Sequence, residues 1–219
     1  MDFKEIRERL AKLDTACLCD CGKRVRVMDP EIRPIIQGVK MIGKAHTVHC
    51  KADFLTVLKA LHDAQEEEVI VIDGEGEKIA LAGEMFAMEA RKKKLAGIVV
   101  DGGCRDVKGI REIKSPVYAR YITPSAGTSS KIFKTQVQVN CGGVPVSPGD
   151  IVFGDDDGII VMTEKEVSEI LDIAENIQRI EAKAIRKMGE EKSLTDVLNF
   201  FDHYAKVSKK EDSRLIFTV

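Results

Sequence analysis

The stretch Val99–Gly109, VVDGGCRDVKG, decides how the rest of the chain is interpreted. It opens with an apolar run typical of an interior strand, and we expect the run to stop at Asp101 and to turn through the next two glycines. Arg105 and Asp106 then stand side by side. Two opposite charges are costly to bury at the end of an interior strand and are not needed for packing. They therefore indicate either a ligand site or an ion pair that closes the turn.

The composition is that of an ordinary globular protein. The 219 residues are 44% hydrophobic and 32% charged, with a net charge of -2. Such a chain has no overall field that favours nucleic acid or an anionic membrane, and no window of about 18 apolar residues predicts a membrane-spanning helix. The N-terminal segment is charged and amphipathic, unlike a signal peptide. We expect a cytoplasmic protein with no nucleic-acid or membrane partner.

The order of predicted elements favours an α/β fold. Glu68–Asp73 and the run before Asp101 are typical of interior strands, and helical spacing appears between the strands. One predicted helix places four apolar residues on a single face: Phe54, Leu55, Leu58 and Leu61. Residues 135–162 alternate between apolar and polar around glycine turns, which predicts an antiparallel region.

The C-terminal part is predicted to be helical. A long helix is expected from Glu164 to about Gly189, and Ser193 and Asp196 have the spacing of a capping box that begins another helix. We therefore expect an α/β domain over residues 1–189 and a helical C-terminal extension over residues 190–219.

The cysteines and histidines favour structural roles. Half of the six cysteines lie in CLCDC (Cys17–Cys21), on a helix predicted from Thr15 to about Gly22, where the sulfurs spread around the axis. Structural zinc sites use C-x2-C spacings, so reduced and mostly buried thiols are favoured over a metal site. His46 and His49 point to opposite faces of a predicted strand and are expected to make separate hydrogen bonds.

Three further motifs resemble known sites only superficially. Val71–Ile79, VIDGEGEKI, has Ile79 where a dinucleotide-binding loop needs its third glycine, so we expect a polar turn. Asp155–Gly158 lacks the spaced ligands of a calcium loop and predicts an acidic hairpin turn. Arg91–Lys94 is predicted to end a helix, where cations complement the helix dipole.

The residues around the opening stretch predict one site. Gly83 and Glu84 begin a predicted helix, whose free amide N–H groups suit an anion. Twenty residues separate Glu84 from Arg105, enough for one helix and one returning strand, so the two ends can meet. Arg105 offers a fork for a carboxylate, and Asp106 offers oxygen to a hard divalent cation. The alternative is that Arg105 pairs with Glu84 or Asp106 and only closes the turn.

This pattern resembles the RraA-like family, which includes class II 4-hydroxy-4-methyl-2-oxoglutarate aldolases that also decarboxylate oxaloacetate, and a protein inhibitor of RNase E. The resemblance covers about Leu13 to Leu198 and is most specific over Gly83–Asp106. The blocks that carry it are LDTACLCDCGKR, IRPIIQGVKMIGKAHTV, GEMFAMEARKKKLAGIVVDGGCRD, PVYARYITP and PGDIVFGDDDGIIVM.

The resemblance implies a layered β/β/α fold of the swivelling-domain type that assembles as a homotrimer or homohexamer. It implies that Arg105 grips a substrate carboxylate and that Asp106 carries Mg²⁺ or Mn²⁺. Glu84 would help to move a proton, although aldolase members often have Asp at this position. The implied substrate-binding residues are Gly83, Glu84, Met85, Phe86 and Arg105.

The implied function is that of a divalent-metal-dependent lyase, a class II aldolase or decarboxylase. It would release pyruvate from a 4-hydroxy-2-oxo acid, decarboxylate oxaloacetate, or do both, with a small 2-oxo acid as its partner. The alternative is a non-catalytic regulator that binds a ribonuclease. The presence of Glu84, Arg105 and Asp106 as implied catalytic residues favours the enzyme.

Overall fold

The computed structural model describes residues 1–22, 25–190 and 192–219. The chain divides into two compact units, Met1–Ile170 and Leu171–Val219. The boundary between them falls inside a helix, whereas the domain boundary expected from sequence, at residues 189 and 190, stays a prediction. In the described ranges, none of the helices combines the length and the apolar character needed to cross a membrane.

The first unit contains most of the secondary structure. Its helices are α1 (Phe3–Leu10), α2 (Thr15–Asp20), α3 (Leu55–Asp63), α4 (Glu84–Lys92), α5 (Val107–Ile113) and the start of α6 (Glu164–Gly189). Its strands are β1 (Arg26–Val27), β2 (Arg33–Pro34), β3 (Met41–His49), β4 (Glu68–Ala82), β5 (Gly97–Cys104), β6 (Val117–Ile122), β7 (Val139–Cys141), β8 (Val144–Val146), β9 (Ile151–Gly154) and β10 (Ile159–Met162).

The second unit is helical. It contains the rest of α6, a 3-10 turn at Leu194–Asp196, and α7 (Phe200–Ser208). The Ser193 hydroxyl accepts from the Asp196 amide, and the Asp196 carboxylate accepts from the Ser193 amide, so the predicted capping box is present. The capping box begins the 3-10 turn, which ends at Asp196, and the next helix, α7, starts only at Phe200.

A mixed eight-stranded sheet forms the centre of the first unit, in the order β1-β10-β9-β3-β4-β5-β6-β2. Strands β3 to β6 run parallel, and the outer pairs are antiparallel. All eight residues of β5 are buried. Strands buried on both faces need a covering layer on each side, and this requirement sets the architecture.

The two faces of the sheet are covered differently. On one face, Ile70 and Ile72 belong to a core that includes Val57 of α3, Ala87 of α4 and Ile110 of α5. On the other face, the core of Val69, Val71 and Val99 includes three residues of the β7–β8 hairpin, Val139, Cys141 and Val146. The order of layers is helices, large sheet, small sheet, so the predicted α/β fold of β/β/α type with a helical C-terminal part is confirmed.

Strand β4 is longer than predicted. It continues from Glu68 to Ala82 through the segment for which a polar turn was expected. Its register against β5 shifts three times beyond Asp73, and Glu75 and Gly76 have positive φ. The polar residues are absorbed as bulges while the strand goes on pairing, so the expected turn is wrong.

Strand β5 also continues past its predicted end at Asp101. Gly102 and Gly103 remain in the strand, which ends at Cys104. A Cβ atom at Gly103 would lie 2.7 Å from the carbonyl carbon of Ile79. The glycine therefore permits a close approach of two backbones and does not make a turn.

Asp101 itself has a structural role. Its carboxylate accepts from Arg120 Nε at 2.6 Å and from the Gly142 amide at 2.6 Å. Arg120 also pairs with the more exposed Asp29 and Glu31, so a network centred on the buried Arg120–Asp101 pair fixes the β7–β8 hairpin over the sheet. A buried carboxylate in such a network is satisfied and has no need of a ligand.

Two helices differ in detail from their predictions. Helix α2 ends at Asp20, and its N-cap is Asp14, whose carboxylate accepts from the Cys17 amide. In α3 the buried face contains Val57, Ala60 and Leu61, whereas Leu58 is exposed. The buried face is therefore turned about the helix axis relative to the predicted apolar face, and of the four predicted residues only Leu61 is buried.

The smaller structural predictions are confirmed. His46 contacts Glu68 and His49 contacts Glu75, each alone. The hairpin turn at Asp155–Gly158 joins β9 to β10. The cysteines are free thiols, four buried and two half-buried. Separately from these predictions, the described ranges contain no group of three or more His, Cys, Asp or Glu residues arranged to hold a metal ion.

Candidate functional site

The ends of β4 and β5 bring the predicted site residues together. Ala82, at the end of β4, pairs with Cys104, and the Arg105 amide donates to the Ala82 carbonyl at 3.2 Å. Gly83 follows Ala82 and begins α4 as its N-cap. Helix α4 and strand β5 thus span the twenty residues between Glu84 and Arg105 and return the chain to its starting point.

A cleft opens at this edge of the sheet. It is lined by Phe54, Ala80, Leu81, Ala82, Gly83, Met85, Phe86, Arg105, Asp106 and Ala126. The rings of Phe54 and Phe86 meet edge to face at 6.0 Å between centroids and form an apolar wall. Polar groups are concentrated at Gly83, Arg105 and Asp106, so the cleft has one charged end.

Arg105 and Asp106 form an ion pair, with 3.3 Å between Nε and Oδ2. The side chains are 44% and 46% exposed, and an exposed pair of this kind contributes about 0–1 kcal/mol. This pair is the turn-closing contact considered from the sequence. It uses one nitrogen of the guanidinium, and within the described ranges the two terminal nitrogens have no other partner, so the fork stays available.

Asp106 stands against the start of α4. Its backbone is left-handed, with φ of +57°, a conformation that Asp tolerates better than most residues. A Cβ atom at Gly83 would lie 2.8 Å from Asp106 Oδ2 and 3.2 Å from Arg105 Cγ. Glycine at position 83 therefore allows the Asp106 carboxylate and the Arg105 side chain to lie directly against the first turn of α4.

The first amides of α4 differ in what they bind. In the part of the chain that the structure describes, the Glu84 and Met85 amides have no acceptor, as expected of a helix N-terminus. The Phe86 amide donates to the Gly83 carbonyl at 3.1 Å. Of the amides expected to face an anion, that of Phe86 is already engaged, and this residue enters the cleft through its ring.

Glu84 lies against α5, a contact that the sequence analysis did not find. A Cβ atom at Gly109 would lie 2.1 Å from Glu84 Cδ. The carboxyl group thus occupies the space left by the missing side chain, and among the described residues it has no hydrogen-bond partner. No helix was expected over Val107–Ile113, so nothing in the sequence pointed to this contact.

Cys104 is the nucleophile type nearest to the site, but its environment keeps it inert. Burial raises the pKa of its thiol to about 12. The backbone hydrogen bond with Arg105 lowers this pKa in part, and the negative charge of Asp106 raises it further. A thiol that stays protonated at neutral pH is a poor nucleophile. Covalent catalysis by this cysteine is therefore not indicated.

The donor set fits a weakly held, hydrated cation and not a closed metal site. Asp106 is the one carboxylate of the described cleft lining, and it is half exposed. Mg²⁺ is commonly bound by one or two carboxylates together with water and substrate oxygens, so a single carboxylate at the mouth of a cleft suits it. A structural zinc site would need about four ligands of a kind that the cleft does not offer.

Comparison with known proteins supports the family resemblance. Residues 15–161 match the RraA-like family model, described as Aldolase/RraA. The chain is 35% identical over 186 residues to the uncharacterized protein MJ0644 of Methanocaldococcus jannaschii, covering 83% of this chain and 88% of that protein. It is 33% identical over 168 residues to the "Putative 4-hydroxy-4-methyl-2-oxoglutarate aldolase" of Halalkalibacterium halodurans, covering 76% and 80%.

A solved structure supports the same relationship. The chain resembles Streptomyces coelicolor RraAS2, described as an unusual member of the RNase ES inhibitor RraA protein family, with a TM-score of 0.74 and 28% identity. The match covers 85% of this chain and 98% of that one. The family model matches residues 15–161, which include all the residues that line the cleft. The chain therefore belongs to the RraA-like family.

Proposed function

We propose that the chain is a divalent-metal-dependent lyase that breaks a C–C bond in a small 2-oxo acid. It would release pyruvate from a 4-hydroxy-2-oxo acid by retro-aldol cleavage, or CO2 and pyruvate from oxaloacetate. The observation that carries the proposal is the meeting of the Arg105 fork, the Asp106 carboxylate and the free amides of Glu84 and Met85 at one cleft. The aldolase name of the Halalkalibacterium halodurans relative supports the same reaction class.

Arg105 and the helix N-terminus are suited to bind the substrate carboxylate. The guanidinium would donate its two terminal N–H groups, and the amides of Glu84 and Met85 would donate at the positive end of the α4 dipole. These donors orient the 2-oxo group towards Asp106. The apolar pair Phe54 and Phe86 excludes water from one side of the bound acid.

Asp106 would hold the cation, Mg²⁺ or Mn²⁺. When bound, the cation supplies positive charge for the enolate oxygen that develops as the bond breaks. The ion pair with Arg105 keeps the carboxylate beside the carboxylate-binding donors. It is weak enough to open at little cost when a ligand enters.

Glu84 would assist removal of the proton from the C4 hydroxyl of a 4-hydroxy-2-oxo acid. Its carboxyl group is unpaired within the described residues and lies beside Gly109 of α5, the helix that Asp106 precedes. Decarboxylation of oxaloacetate removes no hydroxyl proton. The two reactions therefore depend on Glu84 to different degrees.

The position of Glu84 can be tested through Gly109→Ala. The added methyl group would take the space of the Glu84 carboxyl, whose flexible end can move away, so the fold should be kept. We expect retro-aldol activity to fall about 10-fold or more, because a general base contributes about 100-fold or more when correctly placed. Oxaloacetate decarboxylation should change much less.

Gly189→Ala is the matched control for this experiment, since a Cβ atom there meets nothing within 4 Å. Steady-state kinetics with both substrates and thermal unfolding should be measured on both variants. Equal losses of the two activities in Gly109→Ala would contradict the assignment of the proton-transfer role to Glu84.

Substitutions of Arg105 and of Asp106 are expected to impair different functions, substrate binding and cation binding. Asp106→Ala removes the cation ligand, so Mn²⁺ affinity should fall and activity should return only at high Mg²⁺. Arg105→Lys keeps the charge but loses the fork, and kcat/KM should fall roughly 10- to 150-fold, the equivalent of about 1.5–3 kcal/mol. Its Mn²⁺ affinity without substrate should stay unchanged.

Calorimetric Mn²⁺ titration beside steady-state kinetics separates the two roles. Full activity in a folded Arg105→Lys variant would show that Arg105 only closes the turn. Unchanged Mn²⁺ affinity in Asp106→Ala would place the cation elsewhere.

A second copy of the chain is the proposed cover of the cleft. Met85, which lines the cleft, is 79% exposed, and Met88 on the same helix is 55% exposed. Ile132 and Ile122 are exposed as well, at 85% and 59%. Exposed apolar side chains that lie together mark an interaction surface. A homotrimer or homohexamer would bury them and exclude water from the reaction.

Light scattering tests this assembly. We expect the mass of a trimer or hexamer at micromolar concentration, and charge substitution of Ile132 should shift the population towards smaller species. A wild-type chain that is monomeric under these conditions would contradict a shared, covered cleft.

A further inference from the structure

Asp53 is a buried acid that the proposed chemistry does not use. Its side chain is fully buried, and it directly precedes Phe54, whose ring lines the cleft. A charged side chain is rarely fully buried unless hydrogen bonds or an ion pair satisfy it. The hydrogen-bond partners of Asp53 therefore show which segment of the chain it fixes.

Four donors converge on the Asp53 carboxylate. The Leu55 amide donates to Oδ1 at 2.9 Å. Three donors from one segment reach Oδ2: the Thr128 hydroxyl at 2.6 Å, the Ser130 amide at 2.7 Å and the Lys131 amide at 3.0 Å. Burial raises the pKa of the carboxyl, but these hydrogen bonds outweigh burial and hold the pKa at about 2. The group is therefore ionised at neutral pH, when its hydrogen bonds are strongest.

The three donors to Oδ2 belong to residues 125–131, the wall segment, whose Ala126 lines the cleft. On one side it bonds to β4, where the Ala80 amide donates to the Ser125 carbonyl at 2.8 Å. On the other side, the Thr128 amide donates to the Ala52 carbonyl at 2.9 Å. A Cβ atom at Gly127 would lie 2.8 Å from the Ala52 oxygen, so this approach is close as well.

We propose that Asp53 is a positioning residue, whose carboxylate fixes the wall segment and thereby the side of the substrate cleft that Ala126 contributes. The functional part of this inference rests on the proposed lyase activity. The tether itself is a statement about the fold and can be tested without it.

An amide cannot replace this carboxylate. In Asp53→Asn the NH2 group would face either the three donors of the wall segment or the Leu55 amide. Either orientation places the NH2 group against backbone or hydroxyl donors at a side chain that is fully buried. The variant thus weakens the tether while it keeps the size of the side chain.

Thr56→Val is the matched control. The buried Thr56 hydroxyl accepts from the Phe133 amide at 2.9 Å, which lies just beyond the wall segment. Its loss removes a buried tether of the same loop without touching residues 125–131. Thr128→Val is a milder companion to Asp53→Asn, because it removes one of the three donors to Oδ2.

Hydrogen exchange and kinetics are measured on the four proteins, together with their unfolding midpoints. In Asp53→Asn and Thr128→Val, exchange of residues 125–131 should be faster by about 10-fold or more, since a weakened tether raises local opening. KM for oxaloacetate should rise about 10-fold in Asp53→Asn, because a displaced wall misplaces the substrate. Thr56→Val should stay within about 2-fold of wild type in both measurements.

The split between KM and kcat separates positioning from plain stability. A purely structural defect lowers the folded fraction, so apparent kcat falls and KM stays unchanged. That pattern, or unchanged exchange of residues 125–131 in both tether variants, would overturn the inference. A wild-type chain with no lyase activity would instead overturn the proposed function, and the exchange data alone would then decide whether Asp53 holds the wall segment.

Discussion

The close approach of two backbones at the ends of β4 and β5 is the constraint on which the site depends. Gly103 lets β5 lie against Ile79 of the bulged β4, and Gly83 lets the Asp106 carboxylate stand against the first turn of α4. Side chains at these two positions would push the strands and the helix apart. The amides of α4 and the charges that follow β5 would then no longer share one cleft.

The sequence pattern predicts the α/β class and the meeting of the site residues, whereas the layered arrangement was expected from the family resemblance alone. The pattern fails where pairing with a neighbouring strand decides the outcome. The alternation of apolar strands and helices suffices for the α/β class, and the twenty-residue spacing suffices to bring Glu84 near Arg105. The polar residues after Asp73 and the pair Gly102 and Gly103 have the local composition of turns. Only pairing between β4 and β5, which no local pattern contains, keeps both segments in the sheet.

The same limit applies to the side chains. Leu58 has the hydrophobicity of a core residue but lies on the exposed face of α3, because the packing of that helix selects Val57, Ala60 and Leu61. The contact between Glu84 and Gly109 joins two helices, and the four donors on Asp53 come mostly from a segment about 75 residues away. Long-range contacts of this kind follow from the fold, so Glu84 can be predicted as a site residue from the sequence but its surroundings cannot.

The family contains proteins named as aldolases and as ribonuclease inhibitors, so the fold alone does not choose between catalysis and binding. The central claim is that this cleft carries out metal-dependent chemistry on a 2-oxo acid. The most direct test is pyruvate release from oxaloacetate with Mg²⁺ and with EDTA, after subtraction of the rate without protein at the same metal concentration. We expect release that stops in EDTA and returns with excess Mg²⁺. Equal rates with and without EDTA, or no release with either Mg²⁺ or Mn²⁺, would contradict it.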